Sequence, residues 1–290
     1  MSQLFNTFIT QPFAYVLNFI LGWAGSYGLA LIVFTVFTKL ILLPFQVKSK
    51  KAMFEQRRLA PKLKALEKKY KDDKAKHNEA VQKLYEDEGF SPLSGCLPTL
   101  VTLPIIFGLY GVITKPLTNL MRLASGQITE IATRLALTPA ANGTFNEIKV
   151  AEAMKGHLAS LLDISPNIFE IDFRFLGFNL AQVPSVSNFS VLWLLPIISG
   201  ITAFLYVMIS QKYAPPMPSG EQTAKMMNFS MPIISIMIGF SMPAGVTLYW
   251  IMGNLFMMAQ EPLIQIYLQK RFYPEQLEAE KTSKGGKKSK

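Results

Sequence analysis

The feature that most limits what this chain can fold into is a set of five apolar stretches, at residues 26–47, 93–115, 189–210, 226–241 and 246–267. Crossing ~30 Å of hydrocarbon takes about 20 helical residues, because in lipid a segment must satisfy its backbone N–H and C=O groups internally. The stretches predict an all-α integral membrane protein with five transmembrane helices. Only 17% of the residues are charged, against roughly 25% in a soluble domain, so the length is not read as soluble domains. The fourth stretch is short and meets the fifth through Met242-Pro243-Ala244-Gly245, which predicts a tight antiparallel hairpin.

The formal charge of +10 is concentrated in two places, residues 48–92 and the tail 268–290. By the positive-inside rule both are cytoplasmic. An odd number of spans then places the N-terminus and the loop 116–188 outside, with 211–225 a short cytoplasmic loop. In residues 1–25, Leu4, Phe5, Phe8, Ile9, Phe13, Val16, Leu17, Ile20 and Leu21 recur at helical spacing opposite Ser2, Asn6, Thr7, Thr10, Gln11 and Asn18. That pattern predicts an amphipathic helix on the outer membrane interface. The alternative is a sixth span, which would turn the N-terminus inside. The first 24 residues hold no Lys or Arg, so no signal peptide is expected and the N-terminus is expected to be retained.

Segment 48–92 carries Leu59, Leu63, Leu66 and Tyr70, then Val81, Leu84 and Tyr85, around a polar break at Lys71–Lys74. The pattern predicts a cytoplasmic helical hairpin with little core of its own, its first helix kinked or restarted at Pro61. In the outer loop, helices are expected over 117–137 and 147–162, with a short extended segment at 171–175. The Lys, Gly and Ser of the tail predict disorder.

No His-Glu-x-x-His pair, Gly-x-Ser-x-Gly elbow or Walker loop occurs, and the two histidines, His77 and His157, fall on opposite sides of the membrane. Catalytic residues, a metal site and a cofactor are therefore not expected. His77 reads as a solvated residue and Cys96, the one cysteine, as a small packing residue.

Lys39 stands apart. It precedes Lys48 by nine residues, about 13 Å of helix, and a charge near the bilayer centre costs at least ~2.5–3.5 kcal/mol. No acidic residue lies in the middle of a span. Hydroxyls and amides do: Thr35 and Thr38 beside Lys39, and Thr99, Thr102, Ser199, Thr202, Asn228, Ser235, Thr247 and Asn254 on the other spans. A water-filled groove lined by these groups would solvate the ammonium and attract acidic or polar stretches of another chain. The alternatives are a lysine that snorkels to the cytoplasmic interface and hydroxyls that bond their own helix backbone. Methionines on the last two spans suit either a core or a surface for varied apolar helices.

Thr38-Lys39-Leu40-Ile41-Leu42-Leu43-Pro44-Phe45, Leu59-Ala60-Pro61-Lys62-Leu63, Lys69-Tyr70-Lys71, Leu84-Tyr85, Gly89-Phe90-Ser91-Pro92-Leu93-Ser94-Gly95-Cys96-Leu97-Pro98, Pro243-Ala244-Gly245-Val246-Thr247-Leu248-Tyr249-Trp250 and Asn254-Leu255-Phe256 together resemble the YidC insertases and their Oxa and Alb relatives. The resemblance implies a five-helix core with a groove open to lipid and cytoplasm, and insertion of nascent membrane proteins without nucleotide or cofactor. It also implies a mobile cytoplasmic hairpin whose Arg57, Arg58, Pro61, Tyr70 and Tyr85 meet substrates or partners. The partners it implies are the lipid bilayer, the Sec translocon, and the ribosome with the signal recognition particle pathway, with no DNA, in a bacterial inner membrane. The family's groove cation is commonly arginine. Lysine keeps the charge and loses the planar fork. The alternative reading is a small-solute channel or transporter, for which neither internal repeats nor broken helices are seen.

Overall fold

The structure is a computed structural model that describes residues 2–71, 73–89, 97–141, 143–213 and 220–272. Helices dominate it. An α segment, Ser2–Phe5, a π turn, Asn6–Thr10, and an α-helix, Gln11–Ala24, open the chain, and Gly25 at φ 64° ends the run. A long helix then runs over Tyr27–Arg58, followed by Ala60–Lys69, Lys74–Asp87, Leu97–Thr114, Leu194–Tyr213, Gly220–Ser241 and Ala244–Phe272. Tyr27–Ala52 and Val191–Gln211 are long and apolar enough to cross a membrane, and Pro104–Thr114 and Ser230–Ser241 are shorter apolar helices. Pro44, Pro104, Pro232 and Pro262 sit inside helices, as is tolerated where neighbouring helices support the backbone.

The chain divides into two units. The first comprises Met1–Leu40, Val101–Ala203 and Pro232–Gly253. Its core joins Ala14, Leu17 and Ile20 of the N-terminal helix to Leu31 and Phe34, Leu109 and Ile113, and Val246. Phe13 meets Phe34 edge to face at 5.6 Å, and Gly108 leaves room for Ile9 and Phe13. The N-terminal helix is amphipathic in a different sense from the one expected. Thr10 of its polar set is buried, while its exposed side carries Phe8, Tyr15, Phe19 and Trp23. Packing on two helices takes up the small and aliphatic residues, and the aromatic ones are left outside.

Close approach of small residues holds the two helices Leu194–Tyr213 and Gly220–Ser241 together. Gly200 is seated against the Ile236 side chain and Gly239 against the Pro196 backbone, so a Cβ at Gly239 would force the backbones apart. The start of the Ala244–Phe272 helix is tied to the loop 116–188. Its Ala244 and Gly245 amides donate to the Gln182 and Leu180 carbonyls at 2.8 Å each, giving partners to donors that no helical carbonyl can reach.

The loop departs from the two long helices expected of it. The chain forms Pro116–Asn119 and Ser125–Arg134, broken where Arg122 takes φ 57°, a backbone conformation that cannot continue a helix. Asn146 caps a helix over Glu147–Ala153 through the Ile148 and Lys149 amides, and Gly156 at φ 80° ends that region. The extended segment is a minimal antiparallel pair, Arg174–Phe175 with Phe178–Asn179.

The second unit comprises Ile41–Leu100, Phe204–Met231 and Asn254–Lys290. Here Ala60–Lys69 packs on Lys74–Asp87. The long helix stops at Arg58 and the next begins at Ala60 with Pro61 in its first turn, where a missing N–H costs nothing. Asp73 caps the second helix through the Lys76 amide at 3.0 Å, and Lys62 pairs with Glu88. Leu63, Leu66, Tyr70, Val81, Leu84 and Tyr85 are only half-buried, so the pair has little core. Cys96 and the tail 273–290 lie outside the described residues.

Candidate functional site: a buried lysine among polar helix faces

Lys39 lies on the Tyr27–Arg58 helix, twelve residues from its start, about 18 Å at 1.5 Å per residue. Its neighbours Thr35, Thr38 and Phe34 are buried with it, and Lys39 itself is 8% exposed. The stem lies across Gly253 of the last helix. A Cβ there would stand 3.2 Å from Lys39 Cε and 3.4 Å from Nζ, so the missing side chain is what gives the ammonium its place. The side chain therefore turns toward the last helix.

The hydroxyls around it are largely engaged. Thr35 donates to the Leu31 carbonyl at 2.7 Å, and Thr38 to the Thr35 carbonyl at 2.9 Å. Each keeps lone pairs as acceptors, and Tyr249 of the last helix is buried as they are. A second polar set joins the helices Leu194–Tyr213 and Gly220–Ser241: Ser199 and Ser235 share a hydrogen bond of 2.6 Å, and Thr202 donates to the Ser199 carbonyl at 3.0 Å. Thr247 reaches the Gly239 carbonyl at 3.5 Å. Asn254 is buried on the last helix. The side chains of Thr99, Thr102, Asn228, Arg57 and Arg58 lie outside the described residues. On the paired helices Pro61 is exposed, and Tyr70 and Tyr85 are half-exposed.

Sequence reasoning passed over a polar cluster in the second unit. Glu261 falls toward the end of the expected span 246–267, away from its middle, and is 3% exposed. Lys50 Nζ and Gln265 Nε2 both donate to its Oε1 at 2.7 Å, and Gln260 bonds Gln46. A buried carboxylate is tolerable because it is paired and hydrogen-bonded. The available signal was the run Gln260-Glu261-Pro262 inside an apolar stretch, facing a helix that carries Gln46 and Lys50. Tyr249 and Gly253 were also overlooked, since neither is polar enough to stand out in a span.

Residues 19–271 match the family model described as "60Kd inner membrane protein". Among curated relatives, the "Membrane protein insertase YidC" of Granulibacter bethesdensis is 35% identical over 260 residues, 89% of this chain and 38% of that protein. Its namesake from Brucella suis is 31% identical over 257 residues, 89% of this chain and 35% of that protein. The chain thus spans little more than a third of the length of these relatives. A solved structure titled "Active YidC insertase crystal structure with the first transmembrane domain resolved" matches with a TM-score of 0.53 at 22% identity, covering 85% of this chain and 44% of that one. With a match over most of its length, the chain belongs to the 60Kd inner membrane protein family, the one its sequence motifs resemble.

Proposed function

We propose that the protein inserts nascent membrane proteins into a bacterial inner membrane, and that Lys39 is the charge that receives them. The observation that supports this reading is the seating of Lys39: a buried cation within an apolar helix, lying over a glycine, with buried hydroxyls beside it. A protein holds a charge there at a cost of a few kcal/mol, and a binding role offsets that cost when an acidic or polar stretch of a substrate arrives. Substrate apolar surface then passes sideways to lipid, and its burial supplies the driving force at about 25 cal/mol per Å² without nucleotide.

In this reading five helices span the membrane, with the N-terminus outside and the tail in the cytoplasm. The helix Tyr27–Arg58 has 32 residues, about 48 Å, which exceeds the ~30 Å hydrocarbon and carries its basic end out on the cytoplasmic side. The paired helices Ala60–Lys69 and Lys74–Asp87 stand there to meet substrate, the Sec translocon or the ribosome and its signal recognition particle pathway. No catalytic step is involved.

A photo-crosslinker at position 39 or 38, with a stalled single-span nascent chain, tests the reading. Crosslinks that vanish when the apolar segment of the substrate is deleted are expected. Crosslinks that survive the deletion, or passive flux of small solutes through proteoliposomes holding the protein, would favour a channel instead.

A further inference from the structure

The polar cluster of the second unit forms the seam between two helix ends, those of Tyr27–Arg58 and Ala244–Phe272. A seam meant for permanent contact would be apolar throughout. Here only Leu43 and Val47, packed against Ile264 and Leu268, are apolar. The remainder is Gln46 with Gln260, and Lys50 and Gln265 on Glu261.

This polar part is incompletely satisfied. Gln265 is 1% exposed, and its Nε2 donates to Glu261. A carboxylate only accepts, so the amide is fixed in that sense, and the Gln265 Oε1 is left buried without a donor. Gln260 is 8% exposed, and its Nε2 donates to Gln46, which leaves its Oε1 without a donor too. Turning the Gln260 amide over would only exchange which end lacks a partner. Water would satisfy both groups, and it would also return the hydration that Lys50 and Glu261 lose on burial. The apolar pairs pull the other way, since parting the seam wets them.

Both helices can bend at this level. Pro44 and Pro262 sit inside them. A proline has no N–H for the carbonyl four residues earlier, here Leu40 and Met258, so bending at these points breaks no hydrogen bond of the ladder. Lys50 and Ile264 lie beyond the two bend points. On the Tyr27–Arg58 helix Gln46 follows Lys39 by seven residues, about two turns, which puts both on one face.

We infer that the seam is a latch. It is shut at rest by its apolar pairs and the Lys50–Glu261 bond, and it parts to water when a polar stretch of substrate enters, wetting the helix face that carries Lys39. The latch rests on the insertase reading and adds to it the step that opens this face.

A reversible staple tests it. With Cys96 replaced by Ser, Val47→Cys and Ile264→Cys are joined by a short bis-methanethiosulfonate in proteoliposomes supplied with a single-span substrate. Stapling should lower insertion at least ~tenfold, because a required opening limits the whole rate, and reductant should restore it. Each single-cysteine variant, treated with the same reagent, should insert like the Cys96→Ser parent. Should the double variant fail to fold, judged by size exclusion, a second one decides: Lys50→Met, Glu261→Met and Gln265→Leu together. This seam gains little from wetting, so its thermal midpoint in detergent should equal or exceed that of the wild type while insertion falls several-fold. Undiminished insertion by the stapled protein or by the triple variant overturns the latch. So does a triple variant that loses stability and insertion together, since a merely structural trio behaves that way. A parent that inserts nothing overturns the insertase reading and the latch with it, whereas a parent that inserts equally well stapled and free overturns the latch alone.

Discussion

At the scale of single residues, two buried charges have opposite fates. Lys39 rests on Gly253, and substituting it separates charge from shape. Lys39→Arg should keep insertion of single-span substrates with acidic outer tails. Lys39→Ala should lower it at least ~tenfold if even half of the ~2.5–3.5 kcal/mol scale for a membrane charge is drawn on, and Lys39→Glu should abolish it. Protease protection of the translocated tail in proteoliposomes reads the difference, and full insertion by Lys39→Ala would refute the role. Gly253→Leu should mimic the loss without removing the charge, because its side chain occupies the ammonium's seat. Lys39 was legible in the sequence because a lone cation in an apolar run is conspicuous. Glu261 was not, because its partner Lys50 lies 211 positions earlier, and only the packing of two helix ends brings them within 2.7 Å. Removing one member strands the other, so Glu261→Ala should cost about 2–4 kcal/mol in a denaturation measured in detergent. The exchanged pair Lys50→Glu with Glu261→Lys should recover part of it.

At the scale of elements, the helices Ala60–Lys69 and Lys74–Asp87 coincide with an apolar repeat, whereas those of the loop 116–188 do not follow theirs. Leu63, Leu66 and Tyr70, then Val81, Leu84 and Tyr85, repeat at helical spacing on both sides of a polar break, and the break is where Asp73 caps the second helix. In the loop, the apolar periodicity of 117–137 continues across a position where the backbone reverses. Arg122 at positive φ carries no glycine or asparagine to mark it in the sequence, and the turn there is closed by the Leu123 amide on the Leu117 carbonyl at 3.0 Å. The cap makes a measurable prediction. Asp73→Ala should speed hydrogen exchange over the first turn of Lys74–Asp87, while Asp73→Ser should leave it close to wild type. Hydrogen bonds from the Lys76 amide, and from its side chain, hold the Asp73 carboxyl below the usual carboxylate range. Its contribution is therefore complete above the ordinary carboxylate pKa and is lost as pH falls through the lowered value. Exchange in that turn should rise on acidification in the wild type and stay flat in Asp73→Ala, after correction for the intrinsic rate.

At the scale of the whole molecule, the distribution of Lys and Arg makes the strongest demand, because it ties five apolar stretches to one orientation. Thirteen basic residues fall within 48–92, and none of them can cross the membrane cheaply. With Cys96 replaced by Ser, single cysteines at exposed positions of each segment report sidedness to an impermeant maleimide applied to right-side-out vesicles. Cysteine at Gln82, exposed on the helix Lys74–Asp87, should stay unlabelled until the membrane is permeabilised. Cysteine at Leu162, exposed in the loop 116–188, should label at once if that loop is outside. A cysteine at Leu4 distinguishes the two readings of the N-terminal helix: labelling from outside fits the odd number of spans, whereas labelling only after permeabilisation would require a sixth crossing and an inverted N-terminus. Ala14, Leu17 and Ile20 of this helix are buried, while Phe19 and Trp23 are left exposed. Labelling at Leu4 therefore separates a helix that dips from the outer face from one that passes through, and the orientation of the loop 116–188 is read independently from Leu162.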